Sequence, residues 1–301
     1  MKKIFSVIFI LGFSLFSQIF ADIKFPFKKW WEPEALSVFK KAYPDFDFIS
    51  SFDKENNDWL IHIFKIEKET NKKTELGALY WCESRFLPKE KLSQKENYRK
   101  MLYKYKNKPE NPENFTEEQI DQIKIFTSSE NRKNGAIDPP FLYNLIYDSE
   151  TRTSIEKNIV SVPFLTLSVN VHKDIAEKVK SVSKKIMSLP RDKELNSFFK
   201  TLTRTDGYAY RSVRDTQSRS FHSLGLAVDI LPKGYYQKII YWSWQKQLHP
   251  ETWFLTPLSK RWMPPKKIIQ IFEEEGFIWG GNWIVWDNMH FEYRPELLVK
   301  D

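Results

Sequence analysis

The sequence predicts an α+β protein, with small antiparallel sheets flanked by helices and an N-terminal α+β region ahead of the segment that carries the chemistry. Three observations lead there. Apolar and aromatic runs of strand length occur in both halves, at residues 59–64, 76–81 and 160–171. Residues 174–189 instead repeat Ile175, Val179, Val182 and Ile186 at helical spacing and stop before Pro190. Six of the nine glycines fall after residue 200, where tight turns can shape a site.

Taken in order, Lys2 and Lys3 precede an apolar run at residues 4–20 that ends at Ala21, the pattern of a secretory signal. The run is interrupted by Ser6, Ser14, Ser17 and Gln18 and is short for a stable membrane span. Residues 1–21 are therefore expected to be a signal peptide cut after Ala21, with an uncleaved anchor as the alternative. No cysteine directly follows Ala21, so no lipid anchor is expected. The mature chain is expected outside the cytoplasm, in the periplasm or medium, with no stable membrane insertion.

Residues 22–150 form an accessory region of unassigned role. Residues 59–64 and 76–81 are expected to pair as a hairpin across the charged turn at 67–73. Residues 89–134 are polar, carry Pro109 and Pro112, and read as helix pieces on the surface. Turn residues at Asp138-Pro139-Pro140 and Asp148-Ser149-Glu150 mark a boundary, and a second domain is expected over residues 155–301. With 24 Phe, 13 Tyr and 11 Trp in 301 residues, apolar surface suffices for two domains of ordinary size, and disordered or collagen-like classes are excluded.

Cys82 is the only cysteine, so no intramolecular disulfide can form and any metal must be held by histidines and carboxylates. The formal charge of +8 favours polyanionic partners, and export argues against nucleic acid among them. Five histidines can be weighed singly. His62, His172 and His249 have no chemistry-bearing neighbours and read as structural or surface residues. His222 lies in Ser220-Phe221-His222-Ser223-Leu224-Gly225-Leu226-Ala227-Val228-Asp229, a glycine turn followed by an apolar strand whose only carboxylate is Asp229. His290 lies in Asp287-Asn288-Met289-His290-Phe291-Glu292-Tyr293, and a strand there puts His290 and Glu292 on one face. Two histidines and one aspartate satisfy a catalytic zinc ion that keeps its fourth position open, and His222, Asp229 and His290 supply them. Asp287 is then a candidate base outside the ligand set, and Glu292 an acceptor for a ligand imidazole.

Residues 220–229 resemble the S-x-H-x-x-G-x-A-x-D signature of the LAS-type zinc peptidases, the lysostaphin, D-alanyl-D-alanine carboxypeptidase and hedgehog group. The closer resemblance is to the D-alanyl-D-alanine carboxypeptidase branch, which includes vancomycin-resistance D,D-peptidases and phage L-alanyl-D-glutamate endopeptidases, over about residues 155–296. It implies a LAS/hedgehog-like fold, one zinc ion per chain on His222, Asp229 and His290, proton transfer by Asp287, substrate orientation by Arg211, and peptidoglycan peptides as substrate. Asp287 stands where several relatives carry Glu, and Arg214 and Asp215 add charge where many have small residues. Arg214 and Arg219 rival Arg211 for the substrate role. Ser220 lacks a nucleophile-elbow context and reads as support for the turn. Trp279, Trp283 and Trp286 suit either a saccharide platform or the core. The competing function is a cell-wall or protein-binding module of the same fold. Retention of every metal ligand and of Asp287 favours an enzyme.

Overall fold

The computed structural model describes residues 33–300, so the signal peptide expected at residues 1–21 lies outside the described residues. These residues belong to one compact unit. Among them no helix is long and apolar enough to cross a membrane.

The chain opens with α1 (Ala35–Ala42), whose Leu36, Phe39 and Ala42 form one buried stripe. A meander follows: β1 (Phe46–Asp53), β2 (Asp58–Ile66), β3 (Lys73–Cys82) and β4 (Arg85–Leu87) pair in sequence order, all antiparallel. The expected hairpin is thus β2–β3, and it sits inside a four-stranded sheet. Period-two burial in β1 and β2 turns Phe48, Ile61 and Ile63 into the core, with the Phe48 ring against Phe39 of α1. The polar stretch folds into short pieces, including α2 (Glu117–Phe126), which opens on a Thr116–Gln119 capping box, and α3 (Ser129–Asn134), capped by Ser128.

After α4 (Phe141–Ile146) and α5 (Arg152–Glu156), residues 159–172 form a hairpin of β5 (Ile159–Phe164) and β6 (Leu167–His172). The sequence predicts one continuous alternating run here. The chain reverses because Leu165 adopts a left-handed conformation (φ 54°), which no Gly or Asn marks, and its amide donates to Ser183 Oγ at 2.8 Å. The amphipathic helix is α6 (Ala176–Met187), followed by α7 (Lys193–Thr201).

A second four-stranded sheet carries the site. It comprises β7 (Leu202–Asp206), β8 (Ala227–Pro232), β9 (Phe277–Trp279) and β10 (His290–Tyr293) in the spatial order β7-β8-β10-β9, with α8 (Trp242–Leu248) and α9 (Lys266–Glu274) between β8 and β9. Every residue of β8 is buried, as its unbroken apolar run requires. One hydrophobic cluster takes residues from both sides of residue 150, from Leu36, Phe86 and Tyr143 through Val179 and Phe221 to Phe272 and Phe291.

Candidate metal centre and its surroundings

Register builds the centre. In the β8–β10 ladder His290 stands directly opposite Asp229, so the two side chains share a face. His222 comes from the 3-10 turn Phe221–Leu224 that leads into β8. Gly225 ends that turn with φ 66°, and its missing Cβ leaves room for the chain of residue 172, whose amide donates to Gly225 O at 2.9 Å. Ser220 caps the turn by accepting from the His222 amide, while Ser223 Oγ donates to Ser220 O at 2.6 Å, so the serine is a structural support. Gly207 approaches closely from the loop after β7, where a Cβ would lie 2.0 Å from Asn170 O.

Three atoms converge: His290 Nδ1 lies 2.8 Å from Asp229 Oδ1, His222 Nε2 lies 3.2 Å from the same oxygen, and the two ring nitrogens are 3.1 Å apart. Vertices of a tetrahedron around an ion at zinc distances stand about 3.4 Å apart. The outward nitrogens decide the protonation. His222 Nδ1 faces the carbonyl of Gly207 at 2.6 Å, which can only accept, so this nitrogen donates. His290 Nε2 donates to Glu292 Oε1 at 3.0 Å. Both inward nitrogens then present lone pairs to a carboxylate oxygen, so three buried acceptors face one another and require a cation or a shared proton. The residues therefore fit a divalent metal of zinc type.

Without a metal, the electrostatics of the same cluster corresponds to the shared proton, held between Asp229 and the imidazoles. Burial works against the Asp229 carboxylate, yet the adjacent imidazoles hold it well below the usual range. Burial also opposes the charged form of His290, but hydrogen bonds to Asp229 and Glu292 raise it well above the ordinary histidine value.

Asp287 sits in the turn ahead of β10. Its amide donates to Gly280 O at 3.0 Å and its carbonyl accepts from the His290 amide, while Oδ1 is buried with no hydrogen-bond partner. Burial, reinforced by the Asp229 charge, pushes its carboxyl up to about 7, with His290, the Met289 amide and Arg211 pulling the other way. Arg211 is exposed on the loop before the turn and lines a cleft of about 400 Å³ together with His222, Asp229, Tyr208 and Asn170. Its rivals are placed differently. Arg219 donates to Asn144 Oδ1 at 2.9 Å and Ser223 Oγ at 3.2 Å and so braces the turn, and Arg214 offers the cleft no side-chain contact.

Trp279 and Trp286 are fully buried core residues, which removes them from any saccharide platform, whereas Trp283 is half-exposed with its ring 5.7 Å from that of His290. His62 pairs with Glu75, His172 is buried against Tyr147 O, and His249 is exposed, all away from the centre. Sequence reasoning missed the Gly207 carbonyl and the cleft residues Asn170, Arg204 and Tyr208. A carbonyl carries no sequence signal, and these side chains meet the site only through the packing of β6 beside β7.

Residues 214–293 match the family model described as D-alanyl-D-alanine carboxypeptidase. The matched segment supports a peptidase of that family. It spans all three centre residues and Asp287 and leaves Arg211 just outside. Residues 35–103 match a second model, described as a domain of unknown function. No curated protein and no solved structure matches the chain.

Proposed function

We propose that this chain is an exported zinc peptidase that hydrolyses a D-amino-acid-containing bond in peptidoglycan peptides. The carrying observation is the convergence of His222 Nε2, His290 Nδ1 and Asp229 Oδ1 as three buried acceptors, each histidine pinned from behind by Gly207 O or Glu292. The match of residues 214–293 to a peptidase family supports it.

In this reading His222, Asp229 and His290 hold the metal, which when bound supplies Lewis-acid activation of water and of the scissile carbonyl. Asp287 accepts the proton of the attacking water and passes it to the leaving amine as the C–N bond breaks and the new C–O bond forms. Its Oδ1 is buried without a hydrogen-bond partner, so it is free to take and return a proton. Glu292 and the Gly207 carbonyl keep each imidazole in the tautomer that turns its lone pair inward. Arg211 at the cleft wall pairs with a substrate carboxylate and fixes the bond relative to Asp287.

The test is metal analysis of the purified protein combined with mass spectrometry of digested peptidoglycan. Zinc near one per chain with released D-alanine indicates a carboxypeptidase, and larger released peptides an endopeptidase. Zinc without cleavage moves the reading to a binding module, and no zinc after metal-replete purification overturns it.

A further inference from the structure

The region before residue 150 reaches both loops that frame the centre. On one side, α3 meets the loop that presents Arg211. Arg132 Nη2 donates to Arg214 O at 2.6 Å with its guanidinium 5.2 Å over the Trp242 ring, Gln217 Nε2 donates to Lys133 O at 3.1 Å, and the Asp138 amide donates to Ser218 Oγ at 3.2 Å. The other bonds of residues 213–218 are local to the loop: Val213 N to Ser218 O, Thr216 N and Oγ1 to Val213 O, Ser218 N to Thr216 Oγ1, and the flanking Ser212–Arg219 bridge, around a left-handed Asp215. On the other side, Tyr105 enters the turn that carries Asp287. Its hydroxyl donates to Glu273 at 2.7 Å and accepts from the Trp279 amide at 2.9 Å and from Asn282 Nδ2 at 2.7 Å. The turn continues the chain of bonds: Trp279 Nε1 donates to Asn288 O at 3.0 Å, and the Asp287 amide to Gly280 O.

We propose that residues 105–138 are part of the active-site frame, with Tyr105 a positioning residue for Asp287 and Arg132 a positioning residue for Arg211. The roles given to Asp287 and Arg211 rest on the peptidase reading above. The two contacts act on different parts of the reaction. Slack in the base lowers kcat, because proton transfer depends on its placement, whereas slack in Arg211 weakens substrate binding and raises KM.

The full-length protein is compared with Tyr105→Phe, Arg132→Ala, Arg132→Lys and Gln217→Ala by peptidoglycan-peptide kinetics, zinc content and amide hydrogen exchange. Tyr105→Phe should speed exchange across residues 279–290 and lower kcat by about tenfold at unchanged KM. Arg132→Ala should speed exchange across residues 211–220 and raise KM by about tenfold at unchanged kcat, with Arg132→Lys recovering most of it. Gln217→Ala, an exposed change, should shift the same segment in the same direction if Arg132→Ala fails to fold. Zinc content should stay at the parent's value throughout. Unchanged exchange in both segments overturns the proposal, as does faster exchange with unaltered kinetic constants or an equal loss of kcat in every variant. If the parent protein cleaves no peptide, the peptidase reading fails, and the exchange data alone still decide whether residues 105–138 hold these loops.

Discussion

Three converging acceptors, His222 Nε2, Asp229 Oδ1 and His290 Nδ1, and the unpartnered Oδ1 of Asp287 define the candidate site at the scale of single residues. His222→Ala removes one of three converging acceptors and should lower both zinc occupancy and turnover, as metal analysis beside a peptide-release assay would reveal; full zinc stoichiometry would take His222 out of the ligand set. Asp287→Asn retains all three donors, so zinc should stay while turnover falls by about two to four orders of magnitude. The same substitution has a stability consequence with a definite sign. An unfolded aspartate ionises near 4, whereas the folded Asp287 holds its proton up to about 7. Between those values the unfolded chain sheds a proton that the folded one keeps, so raising the pH through this window costs stability. In chelator, the metal-free Asp287→Asn variant should therefore match the parent near pH 4 and exceed it near pH 8, by about 1 kcal/mol or more, in urea denaturation. A difference of opposite sign would show that the carboxyl is stabilised as its anion.

At the scale of elements, two short connections do what the strands alone cannot. The turn Phe221–Leu224 aims His222 at the β8–β10 face only because Gly225 reverses the chain in a left-handed conformation. A Cβ there would meet Ile159 Cδ1 at 2.6 Å and the His172 amide nitrogen at 2.7 Å. Gly225→Ala should thus cost about 1–3 kcal/mol, seen as a lower Tm, and should weaken metal binding because it displaces His222 rather than removing it. The common face of His290 and Glu292 was legible in the sequence from period-two alternation, and the structure has them hydrogen-bonded at 3.0 Å, but the β8–β10 register that sets His290 opposite Asp229 was not. The β5–β6 reversal was not legible, because its turn residue Leu165 has no turn chemistry and is held by Ser183 of α6.

For the whole molecule, the halves on either side of residue 150 are tied by a buried polar cluster as well as a shared core. Glu296 accepts from Tyr43 and Tyr143 of the first half and from Arg294 beside it, and Arg294 also donates to Met101 O. Arg294 lies over the Phe221 ring, next to His222 in sequence. Arg294→Ala should cost about 3–5 kcal/mol, because it strands a buried carboxylate. A fragment of residues 155–301 alone should lose cooperative unfolding in circular dichroism, since Phe221, Phe272 and Phe291 share a cluster with Leu36 and Phe86. A fragment that melts cooperatively at the parent's temperature would show that the second half needs no partner.

The sequence by itself determined the α+β class, the main amphipathic helix and the first hairpin, and it singled out His222, Asp229 and His290, which the structure brings together. Each is written in local periodicity or in spacing along one short segment, and those are properties of the chain before it folds. Only the tertiary structure decided that Trp279 and Trp286 are core, that Arg219 braces a turn while Arg211 lines the cleft, and that Tyr105 and Arg132 bond to the segments flanking the centre from a distant part of the chain. Those outcomes depend on contacts between distant residues, 82 apart for Arg132 and Arg214 and 174 for Tyr105 and Trp279, and no local pattern encodes a contact whose partner lies that far away.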